Sequence, residues 1–389
     1  MYHFDEKINR KNTAAAKWDE VARMSHKKDL IPLTTADMEF RTPPAVIEAM
    51  KKRLDHGIFG YTKPDDRFFQ AISSFVEKHH GFTVTPEMLV CSTSVVPAIV
   101  AGIKACSKKE EGVILFSPAY TAFYSSIRNT NRCLKDCPLI YHDGFYSIDF
   151  ALLEELAKDK KNRILLLCNP HNPVGRVWSR EELLQIVAIC SRYDLYLISD
   201  EIHWDIILEG KHVSLGELSN LYRERIIVCT APSKTFNLAG TQLAYTIIFD
   251  DGLKKAFKEE LLKSGQGEAL SIFGYEALIA AYESGEQWLS ELLEYIKGNI
   301  ILFEQWLIEN EPKIRMIKPE GTYLAWLDCR MVEPDFATWY RHLMEQGIYL
   351  TNGSYFGEQG EGFVRVNLAL PKDELMKILM HWKESKLLT

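Results

Sequence analysis

The chain has 389 residues, 47% of them hydrophobic and 25% charged, with a formal net charge of −7. That length supports a large core and two domains, and the balance is that of a soluble globular protein. The acidic excess and the lack of any Lys/Arg cluster weigh against nucleic acid as a partner, so an anionic ligand needs a local site.

The opening stretch "MYHFDEKINRKN" is polar and lacks the apolar segment of a signal peptide. No apolar run approaches the roughly 18–20 residues of a membrane span. Eight cysteines (91, 106, 133, 137, 168, 190, 229 and 329) are scattered without a C-x-x-C, which argues against a zinc knuckle or redox pair. Several lie in apolar runs, where cysteine acts as a small hydrophobe. The expected setting is cytoplasmic, with reduced thiols.

Residues 1–45 read as irregular, punctuated by "IPLTTADMEFRTPP", and Pro43 and Pro44 precede a helix "AVIEAMKKRL". From there to residue 284, apolar runs alternate with helical patterns. The runs are "MLVCS", "GVILFS", "RILLLC", "LYLIS", "RIIVC" and "AYTIIF". In "SREELLQIVAICSRY", Leu183, Leu184, Val187 and Ile189 stand at helical spacing. Strands alternating with helices predict an α/β fold, its largely parallel sheet covered on both faces. Next, "EQWLSELLEYIKGNIILFEQWLIEN" reads as one long helix. Its core stripe is Trp288, Leu292, Tyr295, Ile296, Asn299, Ile300 and Phe303, and Gly298 is a point for a bend. The remainder reads as a smaller α+β domain. The predicted division is a large domain at 46–284 and a discontinuous small domain at 1–45 with 285–389.

Chemistry gathers at the strand ends. "CSTSVV" places Ser92, Thr93 and Ser94 before a helix starting near Val95. A helix start with free N–H groups suits phosphate, although taken alone the stretch reads more readily as simple capping by Ser94. "CNPHNPVG" puts Asn169, His171 and Asn172 in a proline-bounded turn. "LYLISDEIHWD" ends a buried strand on Asp200, a carboxylate that needs a partner. A metal reading of Asp200, Glu201, His203 and Asp205 lacks a second His at helical spacing. "CTAPSKTFNLAG" sets Lys234 just past another strand, at the edge where open α/β sheets collect ligands. A phosphate cradle, an Asn, a buried Asp and a Lys are the set that pyridoxal phosphate requires. Its aldehyde takes a lysine and its ring nitrogen a carboxylate.

On "ADMEF", "FGYTK", "SVVPAI", "SPAY", "CNPHNPVGRVW", "SDEIHWD", "APSKTFNLAG", "PEGTYLAWLD" and "GFVRVNLA", the chain resembles a fold-type I pyridoxal-phosphate enzyme of the aminotransferase class I/II superfamily. Within it the chain is most similar to the MalY/PatB branch of cystathionine β-lyases, or C–S lyases. The resemblance implies Lys234 as the Schiff-base lysine and Asp200 on the ring nitrogen. It implies Asn172 on the ring oxygen, and His203 where many aminotransferases carry a tyrosine for that oxygen. It places Tyr120 stacked on the ring, with Ser94, Val95, Val96 and Ser233 around the phosphate. Arg365 takes the substrate carboxylate, with Asn172 close by. Tyr61 reaches the phosphate or the substrate from the second subunit of a homodimer, which makes it catalytic alongside Lys234 and Asp200. Two departures stand out. Gln242 occupies the place of a phosphate-clamping arginine eight residues past the lysine, and the usual Gly-Val-Val turn reads Ser94-Val95-Val96. The implied reaction is α,β-elimination from a sulfur amino acid to thiol, pyruvate and ammonia. An aminotransferase shares the whole cofactor site. A regulatory protein on the same fold would be marked by loss of Lys234, Asp200 or Arg365, and all three are present. A dinucleotide-binding dehydrogenase lacks its G-x-G-x-x-G.

Overall fold

A computed structural model describes residues 2–25, 30–267 and 270–385. Seven strands form the large sheet: β1 (Leu89–Ser92), β2 (Gly112–Ser117), β3 (Cys133–Pro138), β4 (Asn162–Cys168), β5 (Tyr196–Asp200), β6 (Ile226–Thr230) and β7 (Ala244–Ile248). Their order is β1-β7-β6-β5-β4-β2-β3. All neighbours run parallel except β7, which is antiparallel to both β1 and β6. The expected doubly covered α/β sheet is therefore present, with one reversed strand. Because β7 opposes both of its neighbours, β1 and β6 point the same way. Ser92 and Thr230 therefore reach the same edge.

The apolar runs form these strands because each is buried on both faces. In β4, Leu165 and Leu167 enter one core cluster while Ile164, Leu166 and Cys168 enter the other. The strand β3 has no apolar run to reveal it. It lies at the sheet edge, and in "CLKDCP" only Cys137 is buried.

The helix Arg180–Arg192 starts with a capping box between Ser179 and Glu182. Its buried stripe is Leu183, Ile186, Val187, Ile189 and Cys190. Leu184, expected on that face, points outward at 36% exposure.

The long helix Glu286–Asn310 runs unbroken through Gly298. Trp288, Leu292, Ile296, Asn299, Ile300 and Phe303 are buried as expected, while Tyr295 is half-buried and donates its hydroxyl to Asp5. Phe4 packs edge-on against Trp288 at 5.6 Å. Beyond the helix, a second sheet orders Arg315–Ile317, Leu324–Asp328, Phe363–Asn367 and Thr351–Asn352. The early strand Ile31–Pro32 pairs in parallel with Ile348–Tyr349. The N-terminal segment is thus woven into the C-terminal part of the chain.

Asn299 explains its presence in an apolar stripe. Its Nδ2 donates to the Leu368 and Leu370 carbonyls at 3.0 and 2.7 Å, fixing the chain as it leaves Phe363–Asn367. Replacing it with Leu strands two buried acceptors. Asn299→Leu is expected to lower unfolding free energy by about 2–4 kcal/mol, measured by urea denaturation.

Candidate active site

Four strand ends deliver the functional side chains to one edge. Asp200 ends β5 in register with Cys168 of β4 and Cys229 of β6. Asn172 follows β4, and Lys234 sits in a one-turn helix, Pro232–Thr235, after β6. Ser94 precedes the helix Val95–Cys106 after β1. Together with Thr35, Ala36 and Arg365 they line a cavity of about 410 Å³. That is an ordinary size for a small-molecule site.

Burial controls the electrostatics. Asp200 is pushed up to about 7 by burial, opposed by the Ile202 N–H and the Lys234 charge. The Ile202 N–H donates to its Oδ1 at 3.1 Å. Lys234 is pulled down to about 8, again chiefly by burial. Its Nζ donates to the Ala36 carbonyl at 2.7 Å rather than to Asp200. His203 is driven down to about 3 by burial, with Lys234 and Arg365 adding to the effect, so its ring is neutral at physiological pH. Arg365 is lowered to about 10 by burial. Its Nη1 donates to Asn172 Oδ1 and its Nη2 to the Thr34 carbonyl, both at 3.0 Å.

The turn that bears the lysine is anchored from behind. Thr235 Oγ1 donates to Asp205 Oδ2 at 2.6 Å, and Asp205 Oδ1 accepts from His80 Nε2 at 2.9 Å. The His80 ring stacks on Trp204 at 3.7 Å. Asp205 is thus occupied with the fold. Glu201 is occupied in the same way, accepting from Ser199 Oγ and the Leu215 N–H. The acidic run after β5 therefore spreads over separate partners.

Most of the residues singled out from the sequence meet here. Asn172, His203, Tyr120, Ser94, Val95, Val96, Ser233, Lys234, Asp200 and Arg365 all line the cavity. Ser94 sits at the N-cap of Val95–Cys106 but makes no side-chain cap bond, which leaves the first N–H groups of that helix for an anion. Tyr61 stands apart, fully exposed at 100%. Gln242 is exposed on the surface in a left-handed conformation and does not line the cavity. A different glutamine approaches the turn before Val95–Cys106: Gln266 Oε1 accepts from the Thr93 N–H at 3.2 Å.

Sequence reasoning gave no role to the strap at residues 34–40. Asn367 Nδ2 donates to the Thr35 and Asp37 carbonyls, and Asn237 Nδ2 to those of Met38 and Phe40. Tyr323 Oη donates to the Ala36 carbonyl at 3.0 Å. The strap meets the lysine through the Ala36 main-chain oxygen, with the Asp37 carboxylate favouring its charge from nearby.

The donor set fits pyridoxal phosphate on the structure's own evidence. His203 Nδ1 and Arg365 Nε are buried polar atoms without partners, and both residues line the cavity. A carboxylate, a lysine amine and uncapped helix N–H groups complete the set. This is the site of a fold-type I pyridoxal-phosphate protein.

The comparisons agree. The model of the family "Aminotransferase class I and II" matches residues 28–381. The chain is 40% identical to cystathionine beta-lyase PatB of Bacillus subtilis over 97% of this chain and 98% of that protein. It is 34% identical to protein MalY of Escherichia coli, over 97% of each. Among solved structures it is similar to cystalysin from Treponema denticola, which contains a pyridoxal 5'-phosphate cofactor. There the TM-score is 0.96 with 35% identity over 100% of both chains. The chain belongs to the aminotransferase class I and II family. Among the described residues, no helix is long and apolar enough to cross a membrane.

The lowered lysine gives a direct test. In cofactor-free protein, the Lys234 amine should acylate half-maximally near pH 8, neutral above and protonated below. Peptide mass spectrometry across a pH series reads this out, and a midpoint above pH 10 would contradict burial as the cause.

Proposed function

We propose that the chain is a pyridoxal-phosphate-dependent C–S β-lyase. It takes cystathionine or a similar S-substituted cysteine, with water, to thiol, pyruvate and ammonia. One observation carries the reading: a lysine amine near 8, a buried carboxylate and a buried arginine share one cavity. The chain around them is 40% identical to a cystathionine beta-lyase along nearly all of its length.

When bound, pyridoxal phosphate supplies an electron sink for the pair left at Cα. The chain's residues do the rest. With the cofactor bound, Lys234 would hold its aldehyde carbon and, once substrate displaces it, would take the Cα proton; an amine near 8 is mostly free to do so above about pH 8. Asp200 keeps the ring nitrogen protonated. Asn172 has its Oδ1 committed to Arg365, which leaves the amide N–H to donate to the ring oxygen. Neutral His203 donates to the same oxygen. Tyr120 would lie against the ring, and the Val95 and Val96 N–H groups with Ser94 and Ser233 would hold the phosphate. Arg365 pairs with the α-carboxylate in the bidentate geometry that suits guanidinium. With the amino group and the carboxylate both fixed, the Cβ–S bond is held where its electrons can leave as thiolate.

The reading extends to assembly and to domains. An exposed Tyr61 fits a homodimer in which Tyr61 of the partner subunit completes each cavity. Residues 46–284 form the large domain, and 1–45 with 285–389 the small one; the pairing of Ile31–Pro32 with Ile348–Tyr349 supports that division. The protein works in the cytoplasm.

With cystathionine and no keto acid, many pyruvates per site are expected. A stop after about one turnover, with amino groups exchanged onto added keto acids, would make the protein an aminotransferase. Mixing Lys234→Ala with Tyr61→Ala protein should restore activity above both parents once subunits exchange, because one site in each hybrid carries neither change. Activity that stays at the parental average after exchange, verified by mass, would place Tyr61 in its own chain's site.

A further inference from the structure

The loop between Thr351–Asn352 and Phe363–Asn367 plays no part in the scheme above, yet it is tightly built. A Cβ on Gly353 would lie 2.1 Å from the Gly360 oxygen, so the loop closes on itself through glycine. Gly357 has φ +111°, and a Cβ there would lie 2.5 Å from Tyr124 Oη. This folding buries one large side chain, Phe356, at 2% exposure. Its ring lies 4.8 Å from the Arg365 Cζ, and Trp326 meets it edge-on at 5.5 Å. Its carbonyl accepts from the Ala119 N–H at 2.8 Å and from Tyr124 Oη at 2.7 Å. Ala119 immediately precedes Tyr120, and Tyr124 lies in the helix Thr121–Asn129 that follows it. The neighbouring Tyr355 carbonyl accepts from Thr121 Oγ1 at 2.9 Å.

Arg365 depends on such support. The guanidinium is buried at 6% exposure and has only neutral acceptors, Asn172 Oδ1 and the Thr34 carbonyl. Its Nε has no partner. Among the described residues no salt bridge reaches it. A carboxylate partner would steady the cation but cancel its charge. An aromatic face attracts the cation and leaves the charge available to an incoming anion.

We propose that Phe356 is a positioning residue for substrate binding. Its ring holds the Arg365 guanidinium ready for the α-carboxylate, and its carbonyl sets the Tyr120 turn against the same cavity. This rests on Arg365 as the carboxylate clamp of the proposed enzyme.

The test uses cofactor-loaded protein and L-alanine, which carries the α-carboxylate but no leaving group on Cβ. Binding is read from the cofactor's absorbance. Phe356→Leu and Phe356→Met, which keep bulk but lose the π face, should weaken alanine about 3- to 30-fold. Phe356→Tyr keeps the face and should restore binding. L-alaninamide, without the carboxylate, should bind wild type and variants alike. Equal weakening of alanine and alaninamide would make Phe356 a packing residue only and overturn the proposal. Wild-type alanine binding in the Leu and Met variants would overturn it too, as would a Tyr variant as weak as Leu. Elimination is tested separately. A protein that passes this series but releases no pyruvate from cystathionine keeps Phe356 and loses the lyase reading.

Discussion

Three ionisable groups, Lys234, Asp200 and Arg365, share one buried cavity without neutralising one another, and much of the site follows from that constraint. Taking a charge out of water costs free energy unless a partner replaces the lost hydration. The hydrogen-bond partners are neutral: the Ala36 carbonyl for the lysine, the Ile202 N–H for the aspartate, and Asn172 Oδ1 and the Thr34 carbonyl for the arginine; the Asp37 carboxylate adds charge support to the lysine without offsetting its burial. The cost appears as pKa values shifted toward the neutral forms. Asp200 rises from 3.8 to about 7, so its ionised form loses stability as pH climbs through 7. Lys234 falls from 10.5 to about 8, so its protonated form loses stability as pH drops through 8. Between those two values both groups are charged, and the cofactor-free protein bears both penalties. In the proposed enzyme a ring nitrogen, an aldehyde and a substrate carboxylate would be the partners that relieve them.

The fold meets this cost with rigidity around the cavity. The strand ends enter it from a sheet whose two faces are packed, which leaves little freedom to relax toward the charges. The lysine turn is tied through Thr235 and Asp205 to His80, and the strap at residues 34–40 is tied through Asn367, Asn237 and Tyr323. Each tie satisfies a buried polar group, so each also stabilises the fold. The same bonds that keep the protein folded keep the Lys234 amine in the cavity.

Much of this was legible in the sequence, for physical reasons. Buried parallel strands need unbroken apolar runs, so β4, β5 and β6 declared themselves, and a carboxylate or amine directly after such a run must lie at the sheet edge. Asp200 and Lys234 were found that way. The edge strand β3 was hidden because only one face of it packs, and Lys135 and Asp136 interrupt its pattern. Leu184 was misplaced because a stripe of apolar residues on a helix can be wider than the face that packs. Ser94 was read at the head of a helix, where it lies, but only the structure separates a capping hydroxyl from an uncapped helix start. The Ala36 carbonyl was illegible because main chain carries no residue signal. Tyr61 came from resemblance alone, since it is fully exposed and does not line the cavity of its own chain.

The most direct measurement is the ionisation of Asp200 itself. Infrared difference spectra between wild-type and Asp200→Asn protein isolate its carboxyl band across a pH series. In cofactor-free protein the band should disappear near pH 7, and with pyridoxal phosphate bound the group should stay ionised well below that. A carboxyl that titrates near 4 in the cofactor-free protein would mean that the cavity is not dry, and that its charges are not held at a cost awaiting their ligands.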